Sequence, residues 1–279
     1  MNKLLIIFTC LSFTFCSFGQ TKLDVLFVKH LAETESYKEC IFEVDRGDFS
    51  LSSQNIKDSI TFYKGWSQYS LKDLNESANT FLSISKKSSF YTQSHLFAAY
   101  NYAHIGKYSQ AMLILDDLQK SSLVSFEKAG VSLLERDYET FYKNMKMVDT
   151  TKYYLSVQSH RLYKYSKVLE SHKYKSPLLA AGLSTIIPGL GKIYAGKTGE
   201  GLSSFFACAG LGLVTLEQYN KNGIKDYRTI IASSLFSLFY IGNIWGSYFT
   251  VLITENEFDD EYKNKILFNI HIPLRTFFK

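Results

Sequence analysis

Proline is almost absent from this chain, with three in 279 residues, at positions 177, 188 and 273. Because proline removes a backbone donor and clashes with the preceding helical turn, 176 residues without one suit uninterrupted helices joined by polar turns. Cysteine is nearly as scarce, with four. Two of these lie in an apolar leader, and Cys40 and Cys208 alone offer neither a disulfide framework nor a metal cluster. His95, His104 and His160 stand apart with no ligand-spaced companion, so they read as surface or packing residues and no metal is expected. No catalytic constellation is present, and with it go reaction, substrate and cofactor. The net charge of +5 is mild and the lysines are spread out, so nucleic acid is not an expected partner. What the chain does have is 46% apolar and 16% aromatic residues, which argues against disorder.

Residues 1–19 read as a secretory signal. Lys3 gives the positive start, Leu4 to Phe15 the apolar core, and Ser17-Phe18-Gly19 a small-x-small cleavage site. Cys16 raises a lipoprotein alternative, which the bulky Phe15 before it opposes.

From residue 22 to about 170 the pattern is one of helix pairs, with self-similarity at a shift of 34. That shift carries Gly65 onto Ala99, Lys72 onto Gly106, Leu74 onto Tyr108, Ser77 onto Ala111 and Phe81 onto Leu115. Leu31, Tyr37, Cys40 and Val44 suggest a first copy, and Leu134, Tyr138 and Phe141 a shortened fourth. A longer helix is expected over about 152–172. A period of 34 with small residues where helices cross, and a large one four positions on, resembles the tetratricopeptide repeat. The proline that usually closes each repeat is missing. The resemblance implies a solenoid whose first helices line a concave groove for a partner protein or peptide. Its groove positions fall on Ser59, Phe62, Trp66 and Tyr69, then on Gln93, Leu96, Tyr100 and Ala103. Phe62, Trp66, Tyr69, Leu96 and Tyr100 are the expected partner contacts, since aromatic anchors dominate binding hot spots. Packing against the neighbouring pair is the other role open to each.

Residues 161–175 interleave Arg161, Lys164, Lys167, Lys173 and Lys175 with Tyr163, Tyr165 and Tyr174, a composition suited to a lipid headgroup layer. The next stretch has two readings. Gly191, Gly196, Lys197 and Thr198 fit G-x-x-x-x-G-K-[ST], a phosphate-binding loop, which gives the alternative function of a nucleotide-binding protein using Gly191–Thr198. That motif needs a preceding buried strand, and Pro188 sits where such a strand would need its N–H. The other reading is a membrane turn. Pro188, Gly189, Gly191, Tyr194 and Gly196 spell P-G-x-G-x-x-Y-x-G, which resembles the signature of small bacterial domains related to the two-transmembrane-helix family. Tyr240 to Gly246 looks like an element of exported tetratricopeptide proteins carrying that tail. The likeness spans 177–250 and implies an architecture.

Three apolar runs follow, at 177–195, 201–217 and 229–253. At 1.5 Å per residue the third is roughly 37 Å long and can span a bilayer. The first is a kinked span or a re-entrant piece covered by the others. Asn243 needs a partner inside the bundle, most simply a backbone carbonyl or a hydroxyl. Export places the repeats outside, while the basic residues before the membrane favour the inside; two spans satisfy the signal and the basic loop 217–228 together. Ile266, Phe268, Ile270 and Ile272 alternate as on one face of a strand.

The expected protein is all-α: a tetratricopeptide-like helical-repeat solenoid (20–175), a small transmembrane helical hairpin or bundle (176–254) and a polar, amphipathic tail (255–279). It is an inner-membrane-anchored, periplasm-facing scaffold without catalysis, its partners an unidentified protein or peptide and the lipid bilayer.

Overall fold

The computed structural model describes residues 25–49 and 52–275; the signal segment expected over 1–19 lies outside them. Among the described residues the chain is all-helical and holds no strand. It divides into two compact units, one built from the chain up to Glu170 together with Lys265 onward, the other from Ser171–Asn264.

The first unit opens with four helix pairs. These are α1 (25–33) with α2 (Tyr37–Arg46), α3 (Gln54–Ser70) with α4 (Leu74–Leu82), α5 (Tyr91–His104) with α6 (Tyr108–Asp117), and α7 (Ser122–Leu134) with α8 (Tyr138–Met145). Each pair closes through the same turn. The second residue after the first helix takes a left-handed conformation, at Glu35 (φ 62°), Lys72 (69°), Gly106 (82°) and Arg136 (64°). The next N–H then reaches back five residues: Ser36 to Leu31 O, Asp73 to Gln68 O, Lys107 to Tyr102 O and Asp137 to Ser132 O, at 2.8–2.9 Å. This bond satisfies a carbonyl that the helix end would leave orphaned. The turns lie 37, 34 and 30 residues apart.

Small residues set the spacing within the pairs. A Cβ on Gly65 would meet the Phe81 ring at 2.8 Å. Ser77 Oγ donates to Gly65 O at 2.8 Å and accepts from Asn101 Nδ2 at 2.9 Å. Phe81, Phe97, Leu115, Phe126 and Phe141 are fully buried between the layers. A ninth helix, α9 (Tyr153–Ser171), adds Leu155 and Leu162 to this core.

The second unit holds α10 (Pro177–Ile186), α11 (Leu190–Ala195), α12 (Thr198–Asn222) and most of α13 (Tyr227–Leu274). Ser176 caps α10, accepting from Leu179 N–H, and Pro177 fills the first helical position, where its missing N–H costs nothing. Of the three apolar runs, the second and third become the long helices. Both α12 and α13 are long and apolar enough to cross a membrane, and only 11% and 17% of their most apolar stretches are buried. Leu213, Leu216, Leu238, Phe239, Trp245 and Phe249 face outward, the reverse of a helix in a water-soluble core.

The tail is helical, which corrects the strand expected over 266–272. Ile266, Leu267, Ile270 and Leu274 are buried while Phe268 is 52% exposed, so the buried positions follow a helical face and the alternation is incidental. From Lys265 onward α13 belongs to the first unit.

Candidate functional sites: the repeat groove and the glycine turn

The expected groove residues divide by role. Phe62 is buried, stacking on Phe90 at 4.6 Å and leaning on Phe81 at 5.7 Å, so it fills the space between layers. Leu96 is 1% exposed and packs likewise. Trp66 is half-buried against the cluster of Val28, Ala32 and Cys40, with Tyr69 and Phe97 at its other edges. Tyr69 and Tyr100 form the face that matters, and the chain's own tail covers it. His271 Nε2 lies 2.7 Å from Tyr69 Oη, and the imidazole stacks on the Tyr100 ring at 4.9 Å and 22°.

The same segment is held along its length. Ile270 enters a notch in α7: a Cβ on Gly130 would lie 2.2 Å from Ile270 Cγ2. Asn269 Nδ2 donates to Lys265 O at 2.7 Å and reaches Tyr165 Oη at 3.3 Å. Sequence reasoning missed His271, Ile270 and Gly130 as a set, because the strand reading of 266–272 hid the helical face that joins them.

Burial governs titration here. It pushes the His271 imidazole down to about 4, with the charges of Arg275, Lys72 and His104 adding to the effect. It also raises the Tyr69 phenol to about 12. Glu127 on α7 is 2% exposed, and burial lifts its carboxyl well above the ordinary range. The Tyr69 phenol and the His271 imidazole are therefore both neutral near pH 7, as burial against a helix face favours.

In the second unit the glycine motif shapes a hairpin. The chain leaves α10, turns at Pro188-Gly189 and runs back as α11, where Tyr194 Oη accepts from Ser176 N–H at 3.1 Å. Gly189 (φ 84°) and Gly196 (φ 97°) occupy left-handed conformations at the two ends of α11. Gly191 has no room for a side chain: a Cβ would lie 2.0 Å from Ala180 O, and one on Gly189 would lie 2.0 Å from Gly201 O. The irregular backbone is satisfied from α13. Asn243 Oδ1 accepts from Gly189 N–H at 3.0 Å. Gly191 N–H donates to Ser184 Oγ (2.9 Å), which lies 2.7 Å from Ser247 Oγ; that hydroxyl donates to Asn243 O (2.9 Å). The sequence led us to expect a carbonyl or hydroxyl partner for Asn243. The turn instead presents a donor, so the amide is oriented to accept.

This geometry bears on the phosphate-loop spelling. No strand precedes Gly191; helix α10 does. The N–H groups of Gly191, Ile193, Gly196 and Lys197 are spent on Ser184 Oγ, Gly189 O, Ile193 O and Lys192 O. A phosphate cradle needs such groups free and convergent.

Near the start of the unit, His172 Nε2 lies 2.6 Å from Glu255 Oε2 and its ring stacks on Phe258 at 3.7 Å. Lys175 N–H donates to Glu255 Oε1 at 3.2 Å, and Tyr174 Oη donates to Asp259 at 2.7 Å. These carboxylates on α13 partner part of the basic, tyrosine-rich segment. Among the described residues no group of His, Cys, Asp and Glu could hold a metal. No family model, no curated protein and no solved structure matches this chain.

Proposed function

We propose that this protein is a membrane-anchored helical-repeat scaffold whose groove receives an amphipathic helix, with no chemistry of its own. The observation that carries the reading is the seat of Ile270 and His271 against Gly130, Tyr69 and Tyr100. A repeat unit that accepts its own helix there has the shape to accept another of the same pattern. The four recurring turns support the tetratricopeptide-like assignment. Residues 25–170 and 265–275 belong to one unit, so a chain that crosses a bilayer between them crosses it an even number of times. Helices α12 and α13 supply two crossings, and α10–α11 is then a re-entrant hairpin whose exposed backbone Asn243 and Ser184 satisfy. With the export signal, the repeats and the tail face the periplasm and the loop 223–226 the cytoplasm.

In this reading a partner gains the groove by displacing residues 265–275. The test is a fluorescent peptide of residues 262–275 added to the full-length protein in detergent. Saturable binding is expected to an Ile270→Asp variant, whose own tail is expelled, with far weaker binding to the unmodified chain. Binding should disappear when Tyr100→Ala is added. A peptide that binds neither form refutes the groove as a helix receptor.

A further inference from the structure

We propose that the cleft between α12 and α13 beside the glycine turn binds an anionic phospholipid, an inference that rests on the membrane placement proposed above. The cleft holds about 480 Å³, within the range of small-molecule sites. Its lining is divided by chemistry. Lys192, Ser203, Ser204 and Asn243 bring polar groups to one part, and Ala207, Leu238 and Phe239 give an apolar wall.

The cation is held in place. Lys192 Nζ donates to Ser204 Oγ on α12 at 2.9 Å. Its stem runs past Gly246 on α13, where a Cβ would lie 3.6 Å from Cε. No carboxylate lines the cleft, and among the described residues none pairs with Lys192. Asn243, 6% exposed, spends Oδ1 on Gly189 N–H and leaves Nδ2 without a partner. An unmatched buried donor is costly, and a charge in hydrocarbon without a counter-ion costs more. A phosphate diester beside Lys192 neutralises the charge and brings acceptors to the site.

The source is the bilayer itself, because Leu238 and Phe239 stand 68% and 53% exposed at the mouth and offer acyl chains a wall. Depth agrees. Ser204 lies six residues after Thr198, so at 1.5 Å per residue it is roughly 9 Å from the end of α12, within reach of a snorkelling lysine and a headgroup.

The test places the full chain in nanodiscs containing equal phosphatidylglycerol and phosphatidylethanolamine, then counts retained lipids by native mass spectrometry. Both lipids carry the phosphate diester, but the ammonium of phosphatidylethanolamine competes for it and repels Lys192, so phosphatidylglycerol should be enriched severalfold. Lys192→Met should remove the preference and Lys192→Arg keep it. Ala207→Leu, which fills the cleft but leaves the lysine, should lower retention of lipid altogether, so a misfolded Lys192→Met does not decide the matter. Equal retention of both lipids by the unmodified chain overturns the site, as does a preference that survives Lys192→Met or a retained fatty acid in place of phospholipid. A chain that does not enter nanodiscs overturns the membrane placement itself, a different and separately visible failure.

Discussion

The contact between Gly130 and Ile270 permits a test in which one substitution changes sign with its background. Ile270 is fully buried, so Ile270→Ala should weaken docking of the tail by about 2–5 kcal/mol through lost transfer energy and the cavity left behind. Gly130→Ala places a methyl 2.2 Å from Ile270 Cγ2, an overlap that costs about 1–3 kcal/mol. Alanine's better helix propensity does not enter, because α7 is helical whether the tail is docked or released. In the Ile270→Ala background the clash partner is gone, and the new methyl fills part of the hole. There Gly130→Ala should strengthen docking by up to about 0.8 kcal/mol, the worth of one buried methylene. The assay is amide hydrogen exchange over 265–275 in detergent, where each 1.4 kcal/mol of opening free energy is roughly tenfold in protection. Two penalties that simply add, or a harmless Gly130→Ala in the unmodified chain, would show that Ile270 does not sit on α7.

Four further outcomes follow from the structure. The docked His271 imidazole titrates at about 4 against 6.5 when free, so docking is complete above pH 6.5 and weakens as pH falls toward 4. The loss is about 3 kcal/mol at most, and His271→Gln should flatten the profile read by the same exchange assay. Glu127 acts in the opposite direction. Its folded pKa is raised, so its burial costs stability as pH climbs above 4.5, and Glu127→Gln should remove that alkaline-side decline in thermal unfolding. Glu35→Gly relieves a left-handed non-glycine residue at the first turn and should raise the unfolding midpoint by an amount equivalent to up to about 1 kcal/mol. Gly191→Ala, by contrast, drives a methyl into Ala180 O and should abolish recovery of folded protein from membranes, whereas Gly182→Ala, in open space on α10, should leave recovery unchanged.

Much of the helical layout was legible because it rests on local spacing. The shift of 34 singles out Gly65, Ala99, Ser77, Ala111, Phe81 and Leu115, all of which are buried. Even the turn at Lys72 and Gly106 falls on one of its pairs. The left-handed turns at Glu35, Lys72 and Arg136 were not visible as turns, since those residue types carry no signal for that backbone. The glycine motif could be placed but not explained: the crowding of Gly189 and Gly191 against carbonyls on other helices is tertiary. The largest gap was the tail. His271 meets Tyr69 across 202 residues of sequence, and a short run of isoleucines reads equally well with period two or as part of a helix.

That separation has a consequence for how the protein is made. The first unit is not a contiguous stretch of chain, because the end of α13, from Lys265, arrives only after Ser171–Asn264 have been synthesised. The nascent helix pairs emerge with Tyr69, Tyr100 and the Gly130 notch uncovered, and they stay so until Ile270 and His271 have been made. Contacts of such long range form late. Synthesis of residues 265–275 is therefore the event that covers this face, and a chain terminated before them leaves apolar surface exposed, the condition that favours aggregation.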